Sequence, residues 1–594
     1  MICIEQANMK SLSIRLLILL ITTCFLSCKT ETEYSAIESP TPFETSKGME
    51  TATYEQVIAF YIKLAKEFPE INIQTIGSTD SSKPLHIVTY NTDGDFNFKK
   101  IQKDKTVILI NNGIHPGESD GIDATMLLYR DLASEKINPP KNTVLVTIPI
   151  YNIGGSLNRN TASRANQNGP ESYGFRGNAR NYDLNRDFIK SDTQNARTFA
   201  EIYHLVQPDL FIDNHVSNGA DYQYTLTHLF TQHNKLGGEL GSYVHDTLMP
   251  ALQDSLATAN WDITPYVNVF NRTPESGFKQ FMDNPRYSTG YTALWNTIGM
   301  MVETHMLKPY KDRVEGTYML MKKMIGIAEK DGDRIAILRK NAIERHLAWK
   351  YYPIAWQVDT TRSSNLSFKG YEADTITSEI TGFNRLKYNR DIPFTKKVVY
   401  QDYFIPSDSV QIPEAYIIGK QWTSAIDLLR LNKIEFKPFK KDTIILVESY
   451  KIANYETVNN PYEGHYLHYN TQTNTTISQQ KVYAGDILVP TNQPGFRYLL
   501  ETLEPSAVDS FFNWNFFDTI LQQKEGFSPY VFEDTALTLL QNDSVLRNEF
   551  NTKKLAEKEF SKNWYAQLNW LFKRSKHHEK AHMQYPVLRI LKLE

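Results

Sequence analysis

The sequence predicts an α/β fold, with a mixed central sheet flanked by helices, followed by a second region that is α+β or β-rich. Three observations carry this expectation. Short apolar runs of buried-strand length alternate with helical periodicity up to about residue 345. Beyond about residue 350 the runs turn β-branched and aromatic, with helical patches between them. The 594 residues are also too many for one ordinary domain.

Taken in order, residues 1–28 read as an export signal. Lys10 and Arg15 supply positive charge, and 16–26 is an apolar stretch too short to span a bilayer. Phe25-Leu26-Ser27-Cys28 resembles a bacterial lipoprotein processing site. That implies a lipid anchor on Cys28 and a place in the cell envelope, facing periplasm or exterior. Cys3, Cys24 and Cys28 are the chain's 3 cysteines, so the rest offers no thiol as nucleophile or metal ligand. Residues 29–48 are polar, hold two prolines and lack periodicity, which predicts a flexible tether.

A catalytic domain is expected over 49–345. Residues 54–68 carry apolar side chains at helical spacing, and Pro69 stops them. Strand-like runs follow at 71–76 and 85–90 around the turn-rich 77–84. The runs 106–110 and 143–148 are typical of buried strands, with a helix expected over 120–132 between them. Another helix closes at 204–207, Pro208 breaks it, and 209–212 begins a strand, with His215 on the loop expected to leave it. An accessory region of unassigned role is expected over 350–594, with strands at 397–404, 415–418, 442–448 and 486–489 and helices at 423–431 and 496–503. A net charge of -3 gives no reason to expect nucleic acid as a partner.

The chemistry begins at His115-Pro116-Gly117-Glu118, on the loop expected to leave 106–110. A histidine and a carboxylate at this spacing can close on one metal ion, and zinc accepts both while keeping a position open for water. Alone the pair is weak evidence. His115 would otherwise be a turn histidine, and His215 a polar residue at a strand end. Three further stretches follow in order: Tyr182-Asp183-Leu184-Asn185-Arg186-Asp187-Phe188, Phe211-Ile212-Asp213-Asn214-His215 and Met300-Met301-Val302-Glu303-Thr304-His305.

Together these residues resemble the zinc carboxypeptidase family, the carboxypeptidase A-like metallopeptidases, over roughly 51–330. The resemblance implies one zinc ion per chain held by His115, Glu118 and His215, with Glu303 as general base and acid. It implies that Asn185 and Arg186 clasp the free C-terminal carboxylate of a peptide substrate, which suits a guanidinium fork. The family's oxyanion arginine matches Arg164 best. Because 169–182 looks like an insertion, Arg159, Arg176 and Arg180 are rivals. Tyr287 matches the tyrosine that closes over substrate, with Tyr291 as the alternative. The pocket for the last side chain is expected near 292–294, where no acidic residue occurs. Val216 follows His215 where many relatives carry a small residue. Residues 488–494 and 503–505 resemble a region downstream of some bacterial members.

His578-Glu579-Lys580-Ala581-His582 fits a second zinc motif, H-E-x-x-H, which needs both histidines on one helix face. Lys573, Arg574, Lys576 and Lys580 instead mark a solvated basic stretch, and Pro586 ends any helix early. The function expected is therefore a zinc metallocarboxypeptidase trimming peptide C-termini. The alternatives are a related amide hydrolase acting on cell-wall peptides, or a non-catalytic surface lipoprotein that binds peptide or glycan.

Overall fold

Every strand-like run expected over 49–345 becomes a strand. The computed structural model, which describes Ser35 and residues 38–591, holds β1 (Ile71–Ser78), β2 (Pro84–Tyr90), β3 (Thr106–Asn111), β4 (Thr143–Ile148), β5 (Leu210–Ser217), β6 (Leu226–Phe230), β7 (Ile263–Pro265), β8 (Phe278–Lys279) and β9 (Ile298–His305). All but β8 form one sheet in the order β1-β2-β4-β3-β5-β9-β6-β7. Its centre, β4-β3-β5-β9, is parallel. β2 joins β4, and β6 joins β9, in antiparallel fashion. β3, β4 and β5 are buried at every position. That is why they read as continuous apolar runs and not as alternating ones: helices cover both faces.

The helices follow from their own signals. Tyr54–Glu67 starts in a capping box, Thr53 with Gln56, and buries Val57, Tyr61 and Leu64 along one face. Asp120–Ala133 crosses between β3 and β4, and Gln194–Val206, capped by the Thr193 side chain, leads into β5. Gly121 permits the first of these to lie close against β5, since a Cβ there would stand 2.4 Å from Cβ of Asn214. The helix Tyr310–Leu347 then packs across the same face.

Part of the expected tether is ordered onto this domain. Thr41 and Glu44 form a capping box around the short helix Pro42–Thr45. Phe43 is buried edge-on against Tyr310, and Glu44 accepts a 2.8 Å hydrogen bond from Arg130. The polar composition of 29–48 hid one apolar anchor and one ion pair. Cys3, Cys24, Cys28 and the expected export signal lie outside the described residues. Among the described residues no helix is long and apolar enough to cross a membrane.

The second half is β-rich with a helical insert. β10 (Tyr351–Val358) pairs with β13 (Phe404–Gln411), and the long hairpin of β11 (Ser364–Thr377) and β12 (Asn384–Gln401) adds to β8. A six-stranded sheet contains β14 (Ala415–Ile418), β15 (Lys437–Pro438), β16 (Thr443–Thr457), β17 (His468–Val482), β18 (Ile487–Pro490) and β19 (Gln584–Ile590). Helices between Pro529 and Phe572 close a small core of their own around Phe532, Phe550 and Phe572. The main core does not stop at residue 350: Val107, Ile212 and Leu294 share one cluster with Tyr416, Leu429, Leu499 and Phe511. The buried Arg497 ties the halves together through the carbonyls of Ala293 (2.7 Å) and Lys235 (3.2 Å).

Candidate active site

The parallel strands deliver the candidate ligands to one end of the sheet, where α/β folds gather their sites. His115 and Glu118 lie on the loop after β3, as expected. His215 does not lie on a loop. It sits within β5, one strand over, in register with Glu303 on β9. The run 209–212 is only the apolar first half of that strand. Its polar second half faces the site and gave no strand signal.

His115, Glu118 and His215 are each 3% exposed. Their candidate ligand atoms all lie within 4.8 Å of one another. Both Nδ1 atoms face the Glu118 carboxylate, at 3.2 Å in each case. The Val216 backbone N–H also donates to it, at 3.0 Å. Each imidazole's far nitrogen meets another carboxylate: Nε2 of His115 lies 2.9 Å from Asp183, and Nε2 of His215 lies 2.9 Å from Asp213. Such outer carboxylates fix ring orientation and make imidazole a better ligand. Asp213 is itself held by Asn111 (3.0 Å) and Ser288 (2.5 Å).

The electrostatics call for a cation. Burial pushes the Glu118 carboxyl up, but His115 and Arg164 outweigh it and hold it well below the usual range. Burial likewise opposes charge on His215, yet Asp213 and Glu118 raise it well above an ordinary imidazole. Two buried imidazoles ringed by carboxylates, both presenting Nδ1, fit a zinc ion with three protein ligands. Among the described residues this is the one group that could hold a metal. His578 and His582 do not form another, because 573–583 is a run of turns and not a helix.

The centre opens into a cavity of about 300 Å³ lined by residues from both halves of the sheet's end, among them Arg164, Arg176, Asn185, Arg186, Tyr287 and Glu303. Glu303 accepts no side-chain hydrogen bond from any described residue. Burial, together with Glu118 and Asp213, raises its carboxyl to about 7, against the pull of His215 and Arg176. Arg186 lies over the Tyr287 ring at 4.6 Å, and the Asn185 side chain accepts the Ser288 N–H at 3.3 Å.

Two of the candidate arginines, Arg164 and Arg176, line the cavity. Arg164 reaches the site but is spent on it, with Nη1 2.9 Å from Glu118 and Nε donating to Gln167 at 2.5 Å. Arg176 is likewise held, by two bonds to Asp183 at 2.8 and 3.1 Å, and turns Nη1 to the same centre, 3.4 Å from His115 Nδ1 and 3.6 Å from Glu118, where its charge acts on Glu303. Arg159 is bound to Ser172 and Arg180 reaches toward Asp80, so neither lines the cavity. Tyr291 does not line the cavity. It is buried in an aromatic cluster with its hydroxyl on Asn432 at 2.6 Å. The side-chain pocket is not near 292–294, which are buried in the core; Leu229, Phe281 and Met301 line the cavity instead. Asp183 and Asp213 were the roles sequence reasoning missed. Each stood inside or beside a quoted motif, two residues from a candidate ligand or clasp residue.

Residues 57–210 match the zinc carboxypeptidase family. No curated protein matches the chain. Solved structures that resemble it include a metallo-carboxypeptidase from Burkholderia cenocepacia, 15% identical, with a TM-score of 0.35, covering 47% of this chain and 70% of that one. Another, from Pseudomonas aeruginosa in complex with (2-guanidinoethylmercapto)succinic acid, is 12% identical with a TM-score of 0.36, covering 48% and 70%. Carboxypeptidase A from Helicoverpa armigera is 14% identical with a TM-score of 0.35, covering 51% and 77%. The matched segment holds His115, Glu118, Asn185 and Arg186.

Proposed function

We propose that this protein is a zinc-dependent carboxypeptidase that removes residues from the C-termini of peptides. The observation that carries the reading is the convergence of His115, Glu118 and His215 within 4.8 Å, at the floor of a cavity that also holds Glu303 and Arg186. Zinc bound there would polarise the scissile carbonyl and acidify a water molecule.

The chain's own residues supply the rest. Arg186, with Asn185 beside it, would take the substrate's terminal carboxylate in its guanidinium fork. Tyr287, already stacked on Arg186, would cover the bound residue. Glu303 would take a proton from the attacking water and pass it to the leaving amine, a task suited to a carboxyl raised to about 7. We assign the developing oxyanion to Arg176, whose charge already faces Glu303, and leave Arg164 as the partner of Glu118. Leu229, Phe281 and Met301 would receive an apolar or aromatic terminal side chain, since the cavity offers no carboxylate beyond Glu118 and Glu303. The same reading anchors the protein in the cell envelope through lipid on Cys28.

The test is metal content with product analysis on a mixed peptide pool. About one zinc per chain and release of free, mainly apolar, C-terminal amino acids are expected. Internal cuts, or release from cell-wall peptides alone, would move the reading to the amide-hydrolase alternative. Binding without cleavage would favour the non-catalytic one.

A further inference from the structure

The connection between β16 and β17, residues 458–467, folds into a narrow arm. Val458 N–H donates to the Leu467 carbonyl at 3.0 Å, and Tyr462 and His465 exchange both backbone bonds, at 2.7 and 3.1 Å. At the tip Glu463 (φ 50°) and Gly464 (φ 79°) are both left-handed, the pattern of a type I′ turn. Asn, Asp or Gly is the usual first corner of such a turn. A glutamate there is disfavoured locally and points to a reason outside the turn.

The reason lies 280 residues away in sequence. Glu463 Oε2 accepts the backbone N–H of Asp183 at 2.8 Å. Asp183 is the carboxylate that orients His115, and its Oδ1 caps the turn carrying Asn185 and Arg186 by accepting the Asn185 N–H at 2.9 Å. Gly464 lies against the neighbouring ring, since a Cβ there would stand 2.5 Å from the Tyr182 hydroxyl. One residue on, His465 Nε2 meets Asp192 at 2.7 Å. The stretch 182–192 is therefore gripped at both ends by one arm.

The opposite wall of the clasp is held from the same region. Asp509 accepts the Arg286 backbone N–H at 2.9 Å and its Nε at 2.8 Å. Trp514, fully buried, and Tyr462 lie on that guanidinium at 5.0 and 5.7 Å. Arg286 is adjacent in sequence to Tyr287, so both walls beside Arg186 rest on the second half of the chain.

We propose that the Tyr462–His465 turn is a built part of the substrate-carboxylate site, with Glu463 as a positioning residue. By fixing the Asp183 amide, Glu463 sets the turn that presents Arg186 to a peptide's C-terminal carboxylate. This gives the second half of the chain a role in substrate recognition. It rests on the carboxypeptidase reading for its kinetic consequence.

The test uses the full-length protein with Glu463→Ala, Glu463→Gln and Glu463→Asp. Gln keeps an acceptor oxygen at the same reach and should behave as wild type. Ala should raise KM for free-carboxylate peptides by about 10-fold, the lower end of what loss of a charged hydrogen bond costs, with kcat and zinc content little changed. Asp suits the turn better but is one methylene too short. It should raise KM without lowering thermal stability, whereas a merely structural role predicts improved stability and an unchanged KM. Amide hydrogen exchange at 182–186 gives an independent readout: protection should fall in Ala and Asp and persist in Gln. Wild-type KM and wild-type protection in both Ala and Asp would overturn the proposal. If the wild type cleaves no peptide, the carboxypeptidase reading fails on its own, and exchange alone still decides whether Glu463 positions Asp183. Should Ala fail to fold, Asp decides.

Discussion

Replacing Asp183 with asparagine separates metal affinity from fold stability. The side chain faces four groups: His115 Nε2 at 2.9 Å, the Asn185 N–H at 2.9 Å, Arg176 at 2.8 and 3.1 Å, and Arg186 at 3.9 Å. In Asp183→Asn one oxygen remains, so the turn keeps its cap and His115 keeps an acceptor. The contact with Arg176 is lost, because an amide N–H₂ would face a guanidinium. Arg176 is 45% exposed, so that pair contributes only about 0–1 kcal/mol to folding. The larger effect falls on His115, which loses a carboxylate partner and with it part of its basicity. Outer-shell losses of this kind typically weaken metal binding by about 10- to 100-fold, or roughly 1.4–2.7 kcal/mol. A chelator competition titration should therefore show weaker zinc binding by that factor, while the unfolding midpoint of the metal-free protein shifts little. Equal zinc affinity in Asp183→Asn and wild type would refute the assignment of Asp183 as the group orienting His115.

Three further outcomes are expected. Glu303→Gln should keep its zinc and lose turnover by at least about 10²-fold, measured on a peptide with a free C-terminus. Arg186→Ala should raise KM for free peptides far more than for C-terminally amidated ones; equal effects on both would remove Arg186 from carboxylate recognition. Acid should destabilise the protein through buried neutral histidines. Burial lowers His228 to about 4, and burial with Arg497 and Arg345 lowers His346 to about 2. Their contribution is complete above the unfolded value of about 6.5 and is lost as pH falls below it, by at most about 1.4 kcal/mol per group per pH unit. His346→Gln should therefore flatten the fall of the urea midpoint between pH 6.5 and 4.5; an unchanged slope would show that His346 is protonated in the fold.

The parts of the site that could be read from the chain are those whose geometry is local. His115 and Glu118 are a three-residue spacing on a loop, and the run before them had to be a buried strand because it is apolar throughout. The clasp pair lay in a contiguous motif for the same reason. His215 was identified as a residue but misplaced on a loop, since the end of β5 that faces the site is polar and breaks the apolar signal. The expected oxyanion arginine, Arg164, and its rival Arg176 both reach the site, and both are tied to a carboxylate, Arg164 to Glu118 and Arg176 to Asp183. No spacing rule distinguishes a guanidinium tied to a ligand from one aimed at the substrate.

Sequence alone determined the strand runs, the helix stops at Pro69 and Pro208, and the pairing of His115 with Glu118 on one loop, because each depends on neighbours within a turn or two of chain. Tertiary structure alone decided what surrounds them. Asp183 behind His115, the apolar wall of Leu229, Phe281 and Met301, and Glu463 beneath Asp183 come from separate strands and loops. Contacts of that kind leave no periodicity to read: the hydrogen bond from Asp183 to Glu463 spans 280 residues. Its only local trace is a glutamate in a left-handed corner where the turn itself favours asparagine, aspartate or glycine.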